Sequence, residues 1–349
     1  MAPTKHLKIV IASAGRRAHY LQWFRDALKK QNLPGEVIAL DYRATSPTVG
    51  LADRAYQTPA YNSPEYVTWI KEWFSDERPD LFLCMNDYEM QTISGALADQ
   101  LRAGGCIVSV LAPQQHAIVL DKYQMFGALR ERGIATPQTY LGSELNSITP
   151  KPAADAKFVI KHRFGAGSTG LEVVGATTLA EAVACSAESA LGDDGRKLVG
   201  DASAVLIQEF LPGDEFGVDG VFSLDGHSRL LGTLARRTDQ MRDGDPDVAT
   251  SVSGERFAPA MQELGELLCP IGTMNVDFRE NAAGEAHVID INPRMGGGYP
   301  YCHRAGADMP SAIVRAVAGL EHQPELLEYE TGVTSARREE FTVIATNES

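Results

Sequence analysis

Three polar residues near the end of the chain, Asp277, Asp290 and Asn292, have the types and spacing of a divalent-cation site. In VIDINPRMGGGYP, residues 288–300, side chains alternate between the faces of a strand, so Asp290, Asn292 and Arg294 share one face and the apolar Ile289 and Ile291 the other. The preceding NVDFRENAAGEAHVID reads as two strands flanking a turn. With the turn centred between Ala283 and Gly284, Phe278 faces Ile289, Val276 faces Ile291, Asp277 lies opposite Asp290, and Asn275 lies opposite Asn292. Two carboxylates directly across a hairpin repel each other unless a cation sits between them. Asp277, Asp290 and Asn292 offer only oxygen, which suits Mg²⁺ or Mn²⁺ and not zinc, and Mg²⁺ sites of this kind are usually completed by substrate phosphates, which implies a nucleotide. A solvated polar face on an edge hairpin is the alternative. It leaves unexplained the three glycines that follow, Gly296, Gly297 and Gly298, which let a backbone approach a ligand closely.

A second stretch, RFGAGSTGLEVV, carries Gly165, Gly167 and Gly170 in GxGxxG spacing. A dinucleotide fingerprint opens a helix, whereas LEVV is strand-like, and no GK[ST] marks a P-loop. What remains is a glycine-rich hairpin, either inert or able to turn its N–H groups, with Ser168 and the point charge of Lys161 one strand earlier, toward phosphates. Arg236 and Arg237 either reach a γ-phosphate or substrate carboxylate or form a solvated pair at a strand end. His303 and Arg304 follow the triple glycine and either line an acceptor pocket or are structural. RTDQMRDGDPDVAT, residues 237–250, reads as a loop near the site.

The elements that must position these groups come in two textures. LKIVIASAG, EVIALD and DLFLCMND are buried-strand patterns alternating with helical ones at residues 16–32, 63–79 and 89–105, the pattern of an α/β doubly wound domain. Ligands of such sheets sit beyond the carboxyl ends of the strands; the residues there are Ser13, Gly15, Arg16, Arg17, Asp41, Asn86, Asp87 and Glu89. A helix over 116–133 and a Pro-containing linker at 147–156 lead to KFVIKH, LEVV, AVLIQEFL and FGVDGVFSL, short strands with tight turns that predict an antiparallel α+β portion.

Composition bounds the function. The 349 residues suit two or three packed subdomains, and a net charge of −14, from 46 acids against 32 bases, excludes a general nucleic-acid backbone binder. Five widely spaced cysteines without a CxxC pair argue against a disulfide framework and for a reducing cytoplasm, and no apolar run approaches membrane-spanning length.

FVIKHRFGAGSTGLEVV, LIQEFLPGDEFGVDG and NVDF…VIDINPRMGGGYP, in this order, resemble the ATP-grasp fold, and IASAGRR, Asp41 and MNDYE resemble the N-terminal subdomain of its carbamoyl-phosphate-synthase-like members. The resemblance implies an N-terminal Rossmann-like domain at 1–113, a linker-helix and lid subdomain at 114–208 and a catalytic subdomain at 209–349, the last two sandwiching ATP. It implies phosphate-binding roles for Lys122 and Lys161, and a mobile phosphate lid at Gly165–Gly170. Glu209, Phe210 and Leu211 become an adenine hinge, and Glu215 holds the ribose. Asp277, Asp290 and Asn292 become Mg²⁺ ligands, and Arg294 stabilises the transferring phosphoryl group. Asp87, Glu89, Gly297, Gly298 and His303 are candidates to meet substrate. The implied activity is a carboxylate–amine ligase that passes through an acyl phosphate, with small-molecule carboxylate and amine partners and a homodimer left open. A non-catalytic nucleotide-binding protein and a bicarbonate-using carboxylase are the alternatives.

Overall fold

In the computed structural model, residues 5–148, 153, 155–165, 170–192, 195–242 and 244–344 are described, apart from the side chain of Arg16. Gly167 and Ser168 lie outside this set.

Strands β1 (Leu7–Ala12), β2 (Gly35–Asp41), β3 (Arg54–Gln57), β4 (Leu81–Cys84) and β5 (Ile107–Ser109) form a parallel sheet in the order β3-β2-β1-β4-β5. Alternation along β1 explains why its run is apolar throughout. Ile9 and Ile11 enter a core with Tyr20, Leu21 and Phe24 of helix His19–Lys30, while Val10 and Ala12 enter another with Tyr66, Ile70 and Phe74 of helix Pro64–Glu77. The strand order reverses at β1, which puts Ser13 and the Asn86–Asp87 segment at the crevice where doubly wound sheets bind ligands.

Three local expectations change. The third strand stops at Cys84 because Asn86 caps the next helix, its Oδ1 accepting from the N–H groups of Tyr88 at 3.0 Å and Glu89 at 3.3 Å. That helix, expected over 89–105, breaks between Ile93 and Ala96. The helix expected over 116–133 is two helices, because Asp121 ends Pro113–Leu120 and caps Lys122–Glu131 through the N–H of Tyr123.

The rest of the described chain is antiparallel. β6 (Thr139–Leu141), β7 (Lys157–His162), β8 (Glu172–Gly175) and β9 (Val205–Glu209) form one sheet in the order β6-β9-β7-β8. The larger sheet contains β10 (Glu215–Phe222), β11 (Leu230–Arg242), β12 (Asp245–Val252), β13 (Thr273–Glu280), β14 (Ala286–Asn292) and β15 (Thr334–Ala336), in the order β14-β13-β10-β11-β12-β15. The segment 237–250, expected as a loop, is therefore the outer half of the β11–β12 hairpin. Its polarity reflects solvent around that outer half, where Asp239 links Arg237 at 2.8 Å to Thr250 on the facing strand.

The chain then returns to its beginning. Met295, Tyr299, Cys302, Met309, Ile313 and Val314 share the core of Ile9, Ile11, Leu21 and Phe24, so the end of the large sheet and the N-terminal sheet are packed as one body. No described helix is long and apolar enough to cross a membrane.

Candidate active site

The β13–β14 hairpin pairs Asp277 with Asp290 and Asn275 with Asn292, the register expected from the apolar pattern. One detail differs: Phe278 pairs with Val288, not Ile289, because β14 bulges between these pairs. The bulge releases the Ile289 carbonyl from the ladder, and Lys161 Nζ of β7 donates to it at 3.0 Å. Burial pushes the Lys161 ammonium down to about 7 against the pull of Asp290, and the ammonium also sits 4.9 Å above the Phe126 ring. Burial and then the charge of Asp290 push the Asp277 carboxyl up to about 7.

A second lysine meets one of these carboxylates, Asp290. Lys122 is the first residue of its helix, and its Nζ lies 3.1 Å from Asp290 Oδ1 while donating to the Gly165 carbonyl at 3.0 Å. Gly165 has φ +123° and Gly170 φ +71°, conformations that side chains resist, and a Cβ on Gly170 would fall 2.6 Å from His162 Nε2. The glycine turn therefore begins on Lys122 and ends on His162.

The third cation, Arg294, is held from the N-terminal domain. Asp87 accepts from Arg294 Nε at 3.0 Å and from Nη2 at 2.9 Å, and the same Nη2 donates to Asn292 Oδ1 at 3.2 Å. Asp87, expected to meet substrate, is thus the carboxylate that aims Arg294. Arg294, Asp290, Asn292, Asp87 and Lys122 converge on one cleft, walled on its remaining sides by His116, Phe164 and Gly165.

The other candidates have different partners. Arg236 is 2% exposed and pairs with the fully buried Asp219, so it lacks the open guanidinium that phosphate contact needs. Asp219 also accepts the Gly296 N–H at 3.2 Å, and Tyr20 donates to the Gly296 carbonyl at 2.7 Å. A Cβ on Gly298 or Gly217 would overlap the Arg236 guanidinium, and one on Gly296 would come 2.6 Å from Asp219 Oδ1. The triple glycine was expected to admit a ligand; at 296 and 298 it admits this buried ion pair, and only Gly297 remains partly open. Gly298→Ala is accordingly expected to lower unfolding free energy by about 1–3 kcal/mol, as overpacking does. Unchanged denaturation midpoints would return Gly298 to a ligand-facing role.

Glu89 is buried and accepts from the Tyr66 hydroxyl and the Cys84 thiol, and burial raises its pKa, so it does not face substrate. His303 stacks on Trp23 at 4.0 Å between ring centroids and bonds to Tyr299 Oη and the Ala307 carbonyl, a structural setting. Glu215 is engaged by Arg279 at 2.9 Å, and Arg279 Nε also donates to the Leu211 carbonyl at 2.9 Å. A ribose would have to share Glu215 with Arg279. Glu209 is exposed and reaches the Gln138 N–H at 3.4 Å, while Phe210 lies under Lys157 at 5.7 Å and near Arg279 at 5.9 Å. Sequence reasoning missed Asp219, Tyr20, Arg279 and the Ile289 carbonyl, since each acts through a long-range contact that spacing does not encode.

Two family models match the chain. Residues 201–341 match "ATP-grasp in the biosynthetic pathway with Ter operon", and residues 9–108 match "PylC-like, N-terminal domain". No curated protein matches. Among solved structures, the chain is similar to biotin carboxylase from Campylobacter jejuni in complex with β,γ-ATP, with TM-score 0.70 at 13% identity over 94% of this chain and 75% of that one. N5-carboxyaminoimidazole ribonucleotide synthetase from Thermotoga maritima follows at TM-score 0.63 and 18% identity, over 92% and 78%. L-amino acid ligase from Bacillus licheniformis gives TM-score 0.64 at 14% identity, over 90% and 74%. The chain thus carries an ATP-grasp region, residues 201–341, behind a PylC-like N-terminal region, residues 9–108, in one fold around the cleft.

Proposed function

We propose that the protein is an ATP-dependent carboxylate–amine ligase. The observation that carries this reading is the pair of directly opposed carboxylates, Asp277 and Asp290, with Lys122 3.1 Å from Asp290 and Lys161 and Arg294 in the field of both. A nucleophile, base or zinc site would need a different donor set. Among the described residues no cluster of three or more His, Cys, Asp or Glu side chains is arranged for a metal. Asp277, Asp290 and Asn292 supply two carboxylates and an amide oxygen, an incomplete hard shell of the kind phosphates finish, and the lysine beside Asp290 marks the place as one that wants a cation. These three residues would hold Mg²⁺ or Mn²⁺. The ion would neutralise the phosphates of ATP.

The chain's own groups then have distinct tasks. Lys122 and Lys161 offset phosphate charge, and Lys122 also anchors the start of the glycine turn over the cleft. Arg294, aimed by Asp87 and Asn292, faces the negative charge that develops as phosphoryl transfers. A carboxylate oxygen of the substrate attacks the γ-phosphorus, the bond to the β,γ-bridging oxygen breaks, and ADP leaves. An amine nitrogen then attacks the acyl carbon, phosphate departs with the former bond pair, and the amine loses a proton to give the amide. Positioning and electrostatics do most of this work.

Carboxylates are screened with hydroxylamine as a surrogate amine. ADP and a hydroxamate are expected to accumulate together, with pyrophosphate at background, because in this reading Lys122, Lys161 and Arg294 serve the outer phosphates and, among the described residues, no second cluster of cations is assigned to an α-phosphate. Stoichiometric pyrophosphate would refute the acyl-phosphate route. Turnover that needs bicarbonate would favour the carboxylase reading, and ATP binding without carboxylate-stimulated turnover the non-catalytic one.

A further inference from the structure

Beside the phosphate-facing cleft, among the described side chains, three guanidinium groups lie around Asp87 and Asp245. Arg294 takes Asp87, and Arg337 Nη1 lies 3.4 Å from Asp245 Oδ2. Arg17, from the turn after β1, lies in the field of both carboxylates and of Arg294. Yet among the described residues its guanidinium makes one hydrogen bond, to the Met85 carbonyl at 3.4 Å. A guanidinium has five donors and cannot shed its charge. Partly buried and beside a like charge, it is under-compensated.

Two neighbours shape the space in front of it. A Cβ on Gly297 would stand 3.7 Å from Arg17 Nε and 3.1 Å from Asp245 Oδ1, so the glycine keeps the approach between them open. His19 Nε2 is buried without a hydrogen-bond partner. Burial, and then the cations of Arg17, Arg337 and Arg304, push the His19 imidazole down to about 4, so at neutral pH it is an uncharged ring with an unmet nitrogen. In the tautomer protonated at Nε2 it is an unmet neutral donor in the field of Arg17.

We infer that Arg17, with His19 beside it, binds a carboxylate that survives the reaction, carried by one of the two molecules being joined. One permanent charge in a planar fork plus a neutral donor matches a carboxylate monoanion, whereas a phosphate dianion calls for more charge. The carboxylate to be activated is a different one. It needs an unencumbered oxygen to attack phosphorus, which a carboxylate held in a guanidinium fork lacks. The substrate therefore carries either the α-carboxylate of an amino-acid acceptor or the second carboxylate of a diacid donor.

This inference rests on the ligase reading, and its test separates the two. Melting temperatures of the full chain and of Arg17→Gln are measured with each L-amino acid and with succinate and glutarate, each beside its amide, and separately with MgATP. ADP release is then measured with pairs from the same set. An acid is expected to stabilise the wild type while its amide does not, and Arg17→Gln is expected to lose that effect while keeping the MgATP shift. KM for the acid should rise about tenfold to a hundredfold, the loss of a charge-assisted hydrogen bond, with KM for ATP unchanged. Arg17→Lys, which keeps the charge without the fork, should fall between, and controls for folding. If amino acids give the effect the source is the acceptor; if the diacids do, it is the donor. Equal stabilisation by acid and amide, loss of ATP affinity in step with the acid, or no response to any acid overturns the subsite. An Arg17-dependent shift without ADP release in any pair supports the subsite and overturns the ligase reading.

Discussion

Asp290→Asn is expected to lower turnover on the order of a thousandfold while leaving the protein folded, several kcal/mol of transition-state stabilisation being what metal-held phosphate charge supplies. Asp290 is the more informative of the two acids because it is shared: it opposes Asp277 across the hairpin and lies 3.1 Å from Lys122. The substitution removes a charge from both relationships. Without metal, relief of the repulsion with Asp277 is expected to raise the melting temperature, so activity and stability move in opposite directions. Asn292→Ala should lose activity comparably, without the stability gain. Wild-type turnover of Asp290→Asn at ordinary Mg²⁺ would sink the assignment of this hairpin to the metal.

Arg294→Lys is expected to cost about a hundredfold to a thousandfold in kcat with little change in KM for ATP, at or below the lower end of what losing an arginine that serves a phosphoryl transition state costs, since the charge is kept. A lysine keeps the charge but cannot reach both Asp87 oxygens and Asn292 Oδ1 at once, as the guanidinium does. Asp87→Asn should cost roughly tenfold in the same constant, because Asp87 acts through Arg294 and an amide still accepts one of the bonds. If Asp87→Asn instead raised KM for a carboxylate or amine with kcat intact, Asp87 would be a substrate ligand after all.

How far the sequence reveals this site depends on the range of each interaction. The pairing of Asp277 with Asp290 follows from period-two alternation and a nearby turn, both local, and the structure has that register. The bulge next to it is invisible to alternation, since Ile289 and Val288 are equally apolar. Residues 237–250 misled because polarity at the outer end of a long hairpin resembles polarity in a loop. The glycines at 296 and 298 carried the right signal, close backbone approach, but the group approached is Arg236, whose partner Asp219 lies 77 residues from Gly296. Glu215 and His303 have suitable chemistry for a site, and only the positions of Arg279, Trp23 and Tyr299 show that both are engaged.

The bonds that aim Arg294 and seat the glycine loop join residues 207 and 276 positions apart, Asp87 to Arg294 and Tyr20 to Gly296. During synthesis the parallel sheet can form long before residue 294 leaves the ribosome, since its strands all precede residue 110. The crevice of this sheet and the part of the Ile9, Ile11 core that helix His19–Lys30 does not cover then await partners from residues 295–314. Active-site assembly is therefore the closing event of folding rather than an early one, and any chain stalled or cut before that point holds a folded domain with an exposed apolar face and no arginine in place.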